Sequence, residues 1–169
     1  YYSYFYIAAA YLVSAVFVDK DALRIGELMA GATIVVFGTH LGYTLVPGMG
    51  PHATLAFEHP LVGGYWWKLV ASTVATSGAQ LDIFPSLHTG FPSLFLFHAI
   101  RQRRSTPFAI AWPVTAFFVM NIIIATLFLR WHWGIDILVG FTLAFVGHRV
   151  GVTIAGREID RTRTGRQAV

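Results

Sequence analysis

The chain has 169 residues, of which 56% are hydrophobic and only 12% charged, and its mean hydropathy is +0.61. A soluble domain carries about 25% charged residues, so the composition argues against a water-exposed globule and for a single lipid-embedded domain. The net charge of +4 sits in short loops between apolar runs, where it sets membrane orientation rather than nucleic-acid binding, and the lack of cysteine excludes disulfides and thiolate metal sites.

The first apolar run covers 1–18, aromatic at its outer end and closed by Asp19, Lys20 and Asp21. The chain opens on Tyr1, with no basic n-region and no small-residue cleavage site, so no signal peptide is read there. The second run covers 28–46 and stops at Pro47 and Gly48. A mixed stretch, 47–82, holds Pro51, Pro60, Gly63, Gly64 and the pair Trp66–Trp67. Paired tryptophans favour the headgroup level, so this stretch reads as re-entrant or interfacial. The third run covers 86–100, the fourth 107–129 and the fifth 134–150. Strand-like alternation is absent, and an all-α polytopic transmembrane bundle is the reading that satisfies the backbone in lipid. Five helices are visible, in one catalytic domain over 1–156 with a frayed polar tail over 157–169.

Lys20 and Arg24, then Arg101, Arg103 and Arg104, then the arginines from Arg149 to Arg166 fall in alternate loops, which are therefore expected on the cytoplasmic side. The other side carries Lys68 and Arg130. The first run then starts outside, which predicts a sixth, upstream helix if the intact N-terminus is cytoplasmic.

The third and fifth runs each open on an ionisable cluster: Phe84-Pro85-Ser86-Leu87-His88-Thr89-Gly90 and Arg130-Trp131-His132-Trp133-Gly134-Ile135-Asp136. His88 precedes Arg101, and Asp136 precedes Arg149, by thirteen residues each. At about 1.5 Å per residue both lie about 20 Å from their cytoplasmic anchors, recessed below the outer surface of a core about 30 Å thick. Ionisable groups at that depth are functional by default. His132 and Asp136, spaced i, i+4, are expected on one helix face, where the carboxylate would orient the imidazole. Ser86 is a natural N-cap, and the first-turn amides at Ser86, Leu87 and Thr89 would form an anion site. On the residues alone, His88 beside that site attacks phosphorus, and His132 with Asp136 serves as the acid and base.

FPSLHTG and HWGIDILVG resemble two signature motifs of the type 2 phosphatidic acid phosphatase superfamily, which also includes the vanadium haloperoxidases; the resemblance extends over 43–150. The segment Tyr43-Thr44-Leu45-Val46-Pro47-Gly48-Met49-Gly50-Pro51 is similar to a proline-containing segment of the inositolphosphotransferase branch, to which the inositol phosphorylceramide synthases belong. The resemblance implies the reverse order of roles: His132 as nucleophile, Asp136 as its orienter and His88 as general acid. The chain departs from the phosphatase pattern in lacking a first motif with Lys and Arg, and in having Thr126 where an Arg stands six residues before the nucleophilic His. Arg130 and Lys68, the outer cations, are therefore the candidate phosphate ligands, unless they serve as interfacial anchors.

The reading is a lipid-phosphate phosphatase or phosphotransferase, working on a phospholipid or other lipid phosphate at the outer face, through a phosphohistidine and without cofactor or metal. Two other classes compete. Two His and an Asp could hold iron or zinc, and intramembrane His and Asp also serve proton relays in transporters. Trp131 and Trp133 read as aromatic-belt residues, and His98 and His148 as structural.

Overall fold

The computed structural model describes residues 1–77 and 81–165. Its elements are α1 (Ser3–Val13), continued by a π-helical turn (Ser14–Asp19), α2 (Ala22–Leu45), α3 (Pro51–Thr54), α4 (Tyr65–Ser77), α5 (Leu87–Arg101), α6 (Phe108–Phe128) and α7 (Gly134–Thr164). The protein is all-α, as the sequence predicts; the one β feature among the described residues is an isolated parallel bridge between Gly48 and Asp82. The five apolar runs become α1 with its π turn, α2, α5, α6 and α7. Helices α2, α6 and α7 are long and apolar enough to cross a membrane.

The stretch read as re-entrant or interfacial carries the two short helices α3 and α4. The tail differs from its expectation. Helix α7 runs unbroken to Thr164, where the sequence suggests fraying. Propagating an existing helix costs far less than nucleating one, Arg161 pairs with Glu158 at 3.3 Å, and Gly165, at φ 65°, closes the end by donating its N–H to the carbonyl of Arg161. Residues 166–169, with Arg166, lie outside the described residues, as do 78–80.

Helices α2, α5 and α7 pack against one another in the centre, and α1 and α6 flank α5. Tyr11 of α1 stacks on Phe95 of α5 with centroids 4.8 Å apart, and both are buried with Phe108. His98 joins this core. Its Nε2 lies 3.2 Å from the carbonyl of Arg24, which needs the proton there and leaves Nδ1 to accept from the Tyr11 hydroxyl at 2.8 Å. Helix α2 runs antiparallel to α7: Gly31 faces Gly147, while nearer the start of α2 Glu27 faces Gly151. The start of α2, the end of α5 and the later part of α7 thus share one end of the bundle. The starts of α5 and α7 share the other with the end of α2.

Candidate active site

Helix α5 starts where it does because Ser86, with an extended backbone, caps it: its Oγ accepts the amide of Thr89 at 3.2 Å and its carbonyl accepts that of Gly90 at 2.9 Å. Pro92 cannot donate to the carbonyl of His88 one turn earlier. The amide of Ser86 donates to the carbonyl of Asp136 at 3.0 Å, which joins the two motifs through backbone. Gly140, nearly two turns into α7, faces the Ser86 carbonyl so closely that a Cβ there would collide with it. A side chain at 140 would push the start of α5 off α7.

Helix α7 starts after Trp133, whose extended backbone serves as N-cap. Asp136, three residues on, folds back so that Oδ2 accepts the Trp133 amide at 2.7 Å, the return half of a capping box. This corrects the sequence argument for the His132–Asp136 pair. His132 precedes the helix, so the two do not share a helix face. They meet because the cap turns the chain back on itself, and the ring is left at the helix mouth. His132 Nδ1 lies 3.4 Å from Asp136 Oδ2, both side chains almost fully buried. That separation is an ion-pair contact, but it is longer than the roughly 2.7–2.9 Å of a charge-assisted hydrogen bond, and Nδ1 makes no hydrogen bond among the described residues.

His88, in the first turn of α5, stands across from it, with ring centroids 5.8 Å apart. Tyr1 and Tyr4 pack on the other side of His88, at 4.7 and 4.6 Å between centroids, and the Tyr1 hydroxyl is 3.0 Å from His88 Nε2. Tyr43, near the end of α2, faces the backbone of Leu87. The tyrosines around His88 carry no motif signal in the sequence; only the packing of α1 and α2 against α5 brings them there.

The structure thus unites His88, His132, Asp136 and the capped turn of Ser86, Leu87 and Thr89. The amides of Ser86 and Thr89 are engaged internally, on the Asp136 carbonyl and the Ser86 side chain. Arg130 lies in the turn before α7, at φ 62°. Its guanidinium sits 3.7 Å over the Phe57 ring and donates to the His59 carbonyl at 3.2 Å. Lys68 is exposed on α4. Among the described residues, neither cation's side chain forms a hydrogen bond or ion pair with His88, His132 or Asp136. No group of three or more His, Asp or Glu with metal-ligand placement occurs among them either.

Arg130 belongs to a clamp that sequence reasoning missed. The 49–59 segment lies over the 130–133 turn: His52 donates its amide to the Arg130 carbonyl at 2.9 Å, the Trp133 indole donates to the Met49 carbonyl at 3.1 Å, and Gly50 touches the Trp131 carbonyl too closely for any side chain. Trp131 stacks edge-on against His52 at 4.2 Å. Its indole N–H is buried without a hydrogen-bond partner among the described residues, an unusual state for a buried donor.

A family model described as PAP2 superfamily matches residues 1–150. The chain belongs to that superfamily, the one whose motifs the sequence resembles. No curated protein and no solved structure matches it.

Proposed function

We propose that this PAP2 superfamily member is an integral membrane enzyme that breaks the phosphate ester of a lipid through a phosphohistidine on His132. Membership supports phosphatase or phosphotransferase chemistry on lipid phosphates. One observation carries the residue-level reading: two imidazoles face each other at 5.8 Å between two helix starts, and one of them has a buried carboxylate behind it.

With Nδ1 turned to Asp136, His132 presents Nε2 to the substrate. Its lone pair attacks phosphorus, the P–N bond forms, and the ester P–O bond breaks. The leaving oxygen takes the proton of a protonated His88. Asp136 favours the positive charge that His132 acquires on attack, as in a catalytic triad. His88, now neutral, removes a proton from the incoming acceptor, whose oxygen attacks phosphorus and releases His132. Closing the 3.4 Å gap to Asp136 by about 0.5–0.7 Å would give a charge-assisted bond when charge develops.

Lengths support a recessed site in lipid. Helix α5 has 15 residues, about 22 Å at 1.5 Å per residue, shorter than the roughly 30 Å hydrocarbon core. The arginines gathered at its far end support an outer-facing site. Water as acceptor gives a phosphatase, and a lipid alcohol gives a phosphotransferase. The similarity of 43–51 to the inositolphosphotransferase branch favours the second.

Rapid acid or base quench of the purified protein with a phosphate-labelled lipid tests the mechanism. A base-stable, acid-labile phosphoprotein that vanishes in His132→Ala is expected, with turnover inhibited by vanadate and indifferent to EDTA. EDTA inactivation reversed by a divalent cation would move the reading to a metal enzyme.

A further inference from the structure

We propose that the cavity between α1, α4 and α6 holds the hydrocarbon tail of the substrate. The assignment rests on the lipid-ester reading above and adds where the lipid lies. The cavity encloses about 520 Å³, within the roughly 300–1,000 Å³ of ligand pockets. Its walls include Tyr1 from the head of α1, Trp66, Trp67 and Val70 from α4, and Ala125 and Leu129 from the end of α6.

Two connections tie this space to the histidines. Tyr1 is shared: it is one of the residues lining the cavity, and its hydroxyl lies 3.0 Å from His88 Nε2. A single residue, Tyr1, therefore stands between the cavity and His88. The α6 wall ends at Leu129, and the next three residues are the turn that carries His132. A phosphoryl group between His88 and His132 must send its ester substituent out of the site, and the space bordering Tyr1 and Leu129 is mainly apolar.

Chemistry selects the occupant. The walls are mainly aromatic and aliphatic, with Ser3 and the tyrosines as the polar side chains, so a polyol or a bare headgroup would regain few of its water contacts there. A hydrocarbon chain loses nothing and leaves water. Helix α4 suits the boundary of such a site. Val70 is buried in the wall while Trp66 is largely exposed, the disposition of a helix lying at a lipid interface with one face on the protein.

The test compares two esters, a long-chain phosphatidate in detergent micelles and p-nitrophenyl phosphate, which has no tail. Ala125→Phe and Val70→Trp fill the cavity. Each should lower the ratio of kcat/KM for the long-chain ester to that for p-nitrophenyl phosphate about tenfold. Should either variant misfold, Ala125→Leu carries the same measurement. A ratio unchanged in folded variants overturns the proposal. A second measurement needs no turnover: a phosphatidate with a diazirine at its tail end, photolysed with His132→Ala protein. Adducts are expected on 66–70 and 125–129; adducts confined to other helices overturn the tail site. Adducts in the cavity together with no ester cleavage by the wild-type protein would leave the tail site standing and sink the proposed reaction.

Discussion

The two ends of the bundle each bury a carboxylate beside a histidine, and they treat it differently. At the end away from the site, Glu27 on α2 is 4% exposed, its Oε2 3.2 Å from Arg101 Nε on α5 and its Oε1 3.8 Å from His148 Nδ1 on α7. At the site end, Asp136 is 1% exposed, with His132 at 3.4 Å and the Trp133 amide at 2.7 Å. Glu27 is answered by a guanidinium, a charge that never titrates, and it ties three helices together. Asp136 is answered by an imidazole, whose charge can come and go. A fixed countercharge makes a staple. A titratable one, facing a second imidazole across a gap, can follow the charge of a reaction.

That contrast can be broken or sharpened by substitution, and the largest effect belongs to the histidine pair. His132→Ala should abolish turnover, with a fall of at least about 10⁴-fold because no nucleophile remains, while circular dichroism stays that of a folded bundle. Substantial activity in the folded variant would remove His132 from the role. His88→Ala should fall nearly as far with an ester of poor leaving group, since proton transfer contributes about 10²–10⁴-fold. With an activated aryl phosphate, whose leaving group needs little protonation, the loss should shrink; equal losses with both esters would contradict its role as acid.

Asp136→Asn comes next. It keeps the cap on Trp133 through the amide oxygen but removes the charge, and kcat should drop about a hundredfold or more. Wild-type kcat across the pH range would reduce Asp136 to a capping residue. Glu27→Gln should do the opposite: turnover near that of the wild-type protein, and a loss of stability. Breaking a buried pair costs about 3–5 kcal/mol, but Arg101 is 48% exposed, and solvent screening brings the expectation to about 1–2 kcal/mol. Thermal unfolding in detergent reads this, and a kcat that collapses while the melting temperature holds would erase the distinction between the two ends. The smallest effect is expected at Arg130, whose guanidinium is already engaged by Phe57 and the His59 carbonyl. Arg130→Ala should weaken vanadate binding about three- to tenfold, less than the loss of a full charge-assisted contact. Unchanged vanadate affinity would leave Arg130 as a clamp residue only.

The five main helices, their order and the three ionisable residues of the candidate site were legible in the sequence, because apolar run length and intramembrane charge are local signals. The reason His132 meets Asp136 was not. A spacing of four suggests a helix face, and nothing in the string shows that Trp133 is the cap and His132 the residue before it. Arg130 was placed correctly in a turn, but the direction of its side chain depends on Phe57 and His59, over seventy residues away in sequence. The polar composition of 157–164 suggested fraying, and the unbroken helix there follows from its attachment to a packed one.

By itself the sequence determined that this protein is an all-α bundle, and that a His, a His and an Asp stand where two apolar runs begin, since these follow from run length and composition within a few residues. Only the tertiary structure decided how the starts meet: Ser86 donating to the Asp136 carbonyl, Gly140 yielding room for α5, the 49–59 segment closing over the 130–133 turn, and a cavity opening behind Tyr1. Those depend on which backbones can approach closely, and close approach is a property of two segments packed together that neither segment encodes alone.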